Sequence, residues 1–243
     1  MRIAQITDLH VGKANEDTYG VPVRENFLKV LQTAAALEPD ELMISGDLCY
    51  SVGDAEVYHW VKQHLDASQI PYRLISGNHD DATLLAKAFG IEDLLHGDEL
   101  YYRGQYGTQP ALFLDTTKYE VSQTQLDWLA QQLASYSGDW IIFMHHPPLL
   151  AGVKYMDDNY PLKNHAAVLA LLQAHSGNVQ VFCGHYHAER VVVVGNVTVY
   201  ITPSCFFQIS PFAKAFTIDH YQVGFREIEL RNGHLLSTVR YIW

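Results

Sequence analysis

Metal-capable side chains recur in this sequence as short polar clusters, each following directly on an apolar run: Asp8 and His10, Asp47, Asn78 and His79, His145 and His146, and His185 and His187. Any one of the thirteen histidines taken alone is more often a surface or satisfied core residue than a ligand, and His59, His64, His96, His175, His220 and His234 read that way. The clustered set is different, because chance rarely places His, Asp or Asn at five successive strand ends. Imidazole, carboxylate and one carboxamide form a donor set of borderline hardness, suited to Mn, Fe, Zn or Co rather than to Ca or a thiolate-held Zn. Seven candidates (Asp8, His10, Asp47, Asn78, His145, His185 and His187) exceed the shell of one ion once positions stay open for water and substrate. They fit two ions that share a carboxylate, and Asp47, the sole carboxylate of its Gly46-Asp47 turn, is the natural bridge.

Two divalent ions against two carboxylates leave a net charge of about +2, or about +1 with a bridging hydroxide, which attracts and neutralises a phosphate ester. The expected chemistry is hydrolysis of a phosphoester, with a metal-bound hydroxide attacking phosphorus in line between ions roughly 3.5 to 4 Å apart. The departing alkoxide needs a proton, and His79, next to Asn78 and not required as a ligand, is placed to supply it. Asp80 either accepts the hydrogen bond that orients His79 or serves as a turn residue or helix N-cap. Other chemistries lack their signatures: there is no GxxxxGK[ST] loop, GxSxG elbow or HExxH helix, and no cysteine sits beside a histidine as a nucleophile pair.

Bringing five such clusters together requires strands whose carboxyl ends share one edge, the usual ligand site of open α/β sheets. The hydrophobic pattern predicts strands over 2–6, 41–45, 72–76, 140–144 and 179–183, and amphipathic helices over 24–37, 55–65, 82–89, 123–133 and 166–175. That alternation is an α/β rhythm. From residue 190 the helices stop, and strands are predicted over 191–194, 197–201, 215–219, 224–230 and 235–242, with Asn232-Gly233 as a hairpin turn. No repeat, low-complexity block or Gly/Ser linker interrupts the chain, so the β-rich tail is expected to form a second sheet on the same core and residues 1–243 a single domain. Segments 13–23 and 150–163 are long, contain Gly and Pro, and flank the polar turns, so they are expected to shape the binding surface.

With 243 residues, 48% of them hydrophobic and 12% aromatic, the chain is long and apolar enough to bury a core, which argues against disorder, collagen-like repeats or a disulfide-stapled miniprotein. Sixteen basic against 27 acidic residues give a formal charge of −11, which speaks against broad contact with nucleic acid or anionic lipid. No apolar run approaches the roughly 20 residues that cross a bilayer, so no membrane partner is expected. The opening Met1-Arg2-Ile3-Ala4-Gln5-Ile6-Thr7-Asp8 lacks the pattern of an export signal, and Cys49, Cys183 and Cys205 each lie in or beside an apolar stretch. The expectation is a cytoplasmic protein with reduced, buried cysteines.

Written as Asp8-Leu9-His10, Gly46-Asp47, Gly77-Asn78-His79-Asp80, His145-His146-Pro147-Pro148 and Gly184-His185-Tyr186-His187, the clusters resemble, in order, the motif blocks of the calcineurin-like metallophosphoesterases. The resemblance implies a four-layer α/β/β/α sandwich of two packed mixed sheets flanked by helices. It also implies that Asp8, His10, Asp47 and His187 hold one metal and Asp47, Asn78, His145 and His185 the other. In the family's HxP pattern the first histidine is the ligand, which selects His145 and leaves His146 to a supporting or substrate role beside Asn78 and His79.

Within that superfamily the chain is most similar to the class III cyclic-nucleotide phosphodiesterases. The likeness lies in Gly77-Asn78-His79-Asp80-Asp81, Gln125-Leu126-Asp127-Trp128-Leu129, the run from His145 through Met156-Asp157 to Leu162-Lys163-Asn164, and Thr202-Pro203-Ser204 with Gln208 nearby. Ala188 stands where that group often has Arg, and the connection over 115–122 is short, so cAMP enters as a candidate substrate. The rival readings are a phosphomonoesterase or broad-range nucleotide hydrolase and, with all seven ligand positions intact, less plausibly a non-catalytic scaffold of the same fold. Phe206, Phe207 and Phe212 are candidates for a homodimer face or a base-stacking lip, with ordinary packing the blander reading.

Overall fold

The computed structural model describes residues 1–242. In chain order its elements are β1 (Arg2–Ile6), α1 (Val23–Ala35), β2 (Glu41–Ser45), α2 (Ala55–Ser68), β3 (Tyr72–Ile75), α3 (Ala82–Phe89), β4 (Leu95–His96), β5 (Glu99–Leu100), β6 (Tyr102–Tyr106) and β7 (Gln109–Leu114). There follow α4 (Gln123–Ala134), β8 (Trp140–Met144), α5 (Lys154–Asn159), α6 (His165–Ala174), β9 (Val179–Cys183), β10 (Arg190–Val194), β11 (Val197–Ile201), β12 (Gln208–Ile209), β13 (Ile218–His220), β14 (Gly224–Arg231) and β15 (His234–Tyr241). One sheet runs β15-β14-β1-β2-β3, with β1, β2 and β3 parallel, β14 antiparallel to β1 and β15 antiparallel to β14. The other runs β10-β11-β9-β8-β7-β6, parallel from β7 through β11 and closed by the antiparallel edges β6 and β10.

Side-chain alternation explains why the sheets stack. On β8, Ile141 and Phe143 join the core shared with the first sheet, while Trp140, Ile142 and Met144 pack with Leu129 of α4 and Val168 and Leu172 of α6. Along the inner face, Tyr102, Phe113, Phe143, Phe182 and Tyr200 occupy registered positions on β6, β7, β8, β9 and β11. Their rings stack in a ladder with centroids 4.5, 5.6, 5.4 and 4.8 Å apart. On the far side of the first sheet, α1 lays down Phe27, Val30, Leu31 and Ala34, a stripe of helical period, and α2 adds Val57, Val61 and Leu65. The layers are therefore helix, sheet, sheet, helix, as the family resemblance implied.

The β-rich tail is divided rather than forming a sheet of its own. The β1 strand has a free edge after β2 and β3 fill its other side, and the β14-β15 hairpin takes it, whereas β11 pairs in parallel with β9 and carries β10 outside it. The second sheet draws its remaining edge from the β6-β7 hairpin, which the sequence pattern does not announce because Gly104, Gly107 and Pro110 punctuate it. Cys49, Cys183 and Cys205 are buried and unpaired. Among the described residues no helix is long and apolar enough to cross a membrane.

Candidate metal centre

Asp8 and His10 follow β1, Asp47 follows β2, Asn78 and His79 follow β3, His145 and His146 follow β8, and His185 and His187 follow β9. Main-chain bonds continue the sheets into these turns: Asp8 N–H donates to Gly46 O (3.1 Å), His10 N–H to Asp47 O (3.0 Å) and Gly184 N–H to His145 O (3.1 Å). Asp8, His10, Asp47, His185 and His187 all have φ between 45° and 65°, the left-handed region that Asp and His tolerate better than most residues yet occupy at a cost. A Cβ at Gly77 would overlap Asp47 Oδ1, and one at Gly184 would overlap Thr7 Oγ1 and Asp8 Oδ2. Those two glycines let the neighbouring backbone close onto the carboxylates.

Asp8 Oδ1 lies 3.3 Å from His187 Nε2, 4.0 Å from His10 Nε2 and 3.8 Å from His145 Nε2. Asp47 Oδ2 lies 3.2 Å from His145 Nε2 and 3.7 Å from His10 Nε2, and the Nε2 atoms of His10 and His187 are 3.0 Å apart. Two donor groups result, Asp8–His10–His187 and Asp47–His145–His185, each with its ligand atoms within 4.8 Å of one another, and a third, His10–Asp47–His79, joins them. A carbonyl fixes the direction of three imidazoles: His145 Nδ1–H donates to Ser45 O (2.9 Å), His187 Nδ1–H to Phe207 O (3.0 Å) and His185 Nε2–H to Tyr160 O (2.9 Å). A ring nitrogen that donates to a carbonyl leaves its partner nitrogen unprotonated in the neutral ring, which is how second partners orient metal ligands. Among the described residues, Asn78 Oδ1 is buried without a hydrogen-bond partner.

The charges follow from this packing. Burial pushes the Asp8 carboxyl up, but His187 and His145 outweigh it and hold Asp8 at about 2. Asp47 is held well below the usual carboxylate range against the same burial, chiefly by His145. Burial lowers imidazoles, and it carries His10 and His185 down to about 3 and His146 well below its ordinary value. At His145 the burial is overcome by Asp47 and Asp8, which raise it to about 9. Two ionised carboxylates among mostly neutral rings make a cation-seeking centre.

A cavity of about 620 Å³ opens on this centre, lined by His10, Asp47, Asn78, His79, His185 and His187 together with aromatic rings. Both loops expected to shape the surface reach it, through Tyr19 from one and Tyr155, Met156 and Tyr160 from the other. Two expected roles are corrected. Asp80 does not touch the His79 ring: its carboxylate accepts the main-chain N–H of Leu48, Cys49 and Gly77 and the Tyr58 hydroxyl, burial and Asp47 raise it to about 6, and Ser51 O receives His79 Nδ1–H instead (3.0 Å). Helix capping falls to Asp81, which accepts Leu84 N–H (2.8 Å). His146 is fully buried and does not line the cavity; its ring packs against His185 with centroids 4.0 Å apart, and Thr116 Oγ1 takes its Nδ1 (2.8 Å). Thr116, Tyr119 and Tyr160 also frame the site, and their only sequence signal is their place in connections beside the polar turns.

Residues 1–189 match the calcineurin-like phosphoesterase family, and the chain belongs to it. It is a metal-dependent phosphoesterase. The chain is 35% identical over 241 residues to a "Probable cyclic nucleotide phosphodiesterase" of Fibrobacter succinogenes, covering 99% of this chain and 94% of the relative. It is 27% identical over 250 residues to the 3′,5′-cyclic adenosine monophosphate phosphodiesterase CpdA of Escherichia coli K12, covering 98% and 88%. In structure it superposes on a dimetal phosphatase of Danio rerio with a TM-score of 0.75 over 99% of this chain and 96% of the other, at 16% identity, a likeness of fold.

Proposed function

We propose that this chain hydrolyses small phosphodiesters at two bound metal ions, with cyclic nucleotides such as cAMP as the favoured class. The observation that carries the reading is the cavity wall beside the donor groups: among the described residues that line it, eight are aromatic and none is Lys or Arg. A diester carries one negative charge, whereas a phosphate monoester approaches two at neutral pH. A wall without fixed cations therefore suits the diester, and its apolar rings suit the organic arms. Relatives named as cyclic nucleotide phosphodiesterases support the same reading.

The donor set fits the ions, since the orphaned Asn78 Oδ1 and the carbonyl-oriented imidazoles have no better partner than a cation. Asp8, His10, Asp47 and His187 would hold one ion and Asp47, Asn78, His145 and His185 the other, with Mn, Fe, Zn and Co all compatible with these donors. When bound, the ions neutralise the phosphoryl charge and activate the attacking water. His79 does what remains. Its Nδ1–H is held by Ser51 O, its main-chain N–H donates to Asp47 Oδ1 (2.8 Å), and it lines the cavity, so Nε2 is free to carry a proton to the departing alkoxide. Asn78 stands beside it on the wall, while Asp80 and His146 act as positioning residues behind it. Because both sheets contribute donors, residues 1–243 are read as a single domain, and the unpaired buried thiols suit the reducing cytoplasm.

The test is turnover by metal-stripped protein before and after Mn²⁺ is added, with Asp47→Ala alongside. Metal-restored hydrolysis is expected for 2′,3′- or 3′,5′-cyclic AMP, faster on bis(p-nitrophenyl) phosphate than on p-nitrophenyl phosphate, and absent from the variant. A preference for the monoester would overturn the diesterase reading.

A further inference from the structure

Tyr19 lies in the loop between β1 and α1, 64% exposed, at the mouth of the cavity. Its φ is +56°, in the left-handed region that a bulky residue occupies only when its surroundings impose it. The loop supplies the constraint. Gly20, also left-handed, donates its N–H to Asp17 Oδ1 (3.0 Å), while Thr18 donates its hydroxyl to Val21 O (2.7 Å) and accepts Val21 N–H at its own carbonyl (2.9 Å). The Tyr19 ring meets Tyr50, Phe206 and Phe207 at interplanar angles of 75°, 69° and 76°, with centroids 6.2 to 6.5 Å away, so none of the three stacks on it. Phe206, only 3% exposed, bridges to the donor groups by packing on His10 with centroids 5.0 Å apart. An exposed ring without a stacked partner thus stands one aromatic neighbour from a metal ligand, over a wall that carries no fixed cation.

We propose that Tyr19 is a specificity-determining residue that stacks on the nucleobase of the substrate, so that diesters bearing a base are favoured over diesters with only aliphatic arms. This rests on the diesterase reading above. Stacking of a base on a protein ring is indifferent to hydrogen-bond pattern, so Tyr19 selects for an aromatic arm and not for one base.

Two measurements on the metal-loaded full chain test it, with Tyr19→Ala and Tyr19→Phe beside the native protein. The first is KM and kcat for 3′,5′-cyclic AMP and for glycerophosphoethanolamine, a diester without a ring. Tyr19→Ala is expected to raise KM for cyclic AMP by about tenfold or more, with kcat and the constants for glycerophosphoethanolamine within about twofold, and Tyr19→Phe to stay near native. Equal changes on both substrates, or none on cyclic AMP, would overturn the inference. The second is calorimetric binding of adenosine 5′-monophosphate against ribose 5-phosphate, the same phosphoryl group without the base. Should the native chain hydrolyse no diester, that reading fails by itself, and the ratio of the Kd for adenosine 5′-monophosphate to that for ribose 5-phosphate still decides the stacking: it rises about tenfold in Tyr19→Ala if the inference holds and is unchanged if it does not.

Discussion

In the proposed mechanism His79 and His145 take the two different jobs a histidine can do, proton delivery and metal ligation. His79 reaches Asp47 through its main chain and points its ring at the cavity, so His79→Ala should leave metal content unchanged and lower kcat by a factor on the order of 10² to 10⁴. Loss of metal from that variant, read by emission spectrometry, would remove His79 from proton delivery. His145 belongs to the donors, and without metal it binds a proton in the same place. Its pKa is raised from an ordinary 6.5 to about 9, so the stability it contributes is complete below pH 6.5 and is lost as pH rises through about 9. Asp8, held at about 2 against an ordinary 3.8, contributes stability that is present above pH 3.8 and lost as pH falls through about 2. Metal-free protein should therefore melt highest between these limits and lower toward pH 9, and metal loading at pH 7 should expel the His145 proton. Titration calorimetry in buffers of different ionisation enthalpy reads that proton, and a heat independent of buffer would contradict the assignment. The assignment of His145 rather than His146 as a donor comes from the sequence only through family resemblance, because the two are adjacent and chemically identical; in the fold they differ in partner, His145 Nδ1 meeting the carbonyl of Ser45 and His146 Nδ1 the hydroxyl of Thr116.

At the scale of elements, the turns that carry the polar clusters are braced by side chains as well as by the sheets. The Asp80 carboxylate gathers the N–H groups of Leu48 and Cys49 from the turn after β2 and of Gly77 from the turn after β3, which locks the Asp47 turn onto the Asn78 turn. Asp80→Ala leaves those buried donors and the Tyr58 hydroxyl without their acceptor, at about 1 to 3 kcal/mol for each one that finds no other. The variant is expected to unfold at lower denaturant and to bind metal about 10- to 100-fold more weakly, with Asp80→Asn partly restoring both. Metal affinity equal to the native value would show that the two turns hold their places unaided. The strands themselves were readable, because β1, β2, β8 and β9 are short apolar runs that end at a polar cluster. The β6-β7 hairpin and α5 were not, since glycines, a proline and a mixed loop break the local period and pairing with β8 supplies what the pattern lacks.

For the whole molecule, the two sheets must meet in one register if donors from both are to share a centre. The ring ladder on the inner face lies in that interface, with Phe143 between Phe113 and Phe182 and fully buried. Phe143→Ala should cost about 3 to 5 kcal/mol and lower the melting temperature by roughly 2 to 4 °C for each kcal/mol in a chain of this size. Melting within a degree or two of native would place the inter-sheet packing energy elsewhere.

What could be read from the residues in order was the α/β rhythm, the strand ends and the donors on them, since a polar residue closing an apolar run is a local pattern that survives without its neighbours. The partition of the tail between two sheets, the carbonyls that aim His185 and His187, the retreat of His146 behind the cavity and the collar of rings led by Tyr19 all came from folding. Each joins segments distant in the chain, as Tyr160 O does with His185 and Phe207 O with His187. Those meetings are set by burying two apolar sheet faces against each other, a free energy summed over the core that no local period encodes.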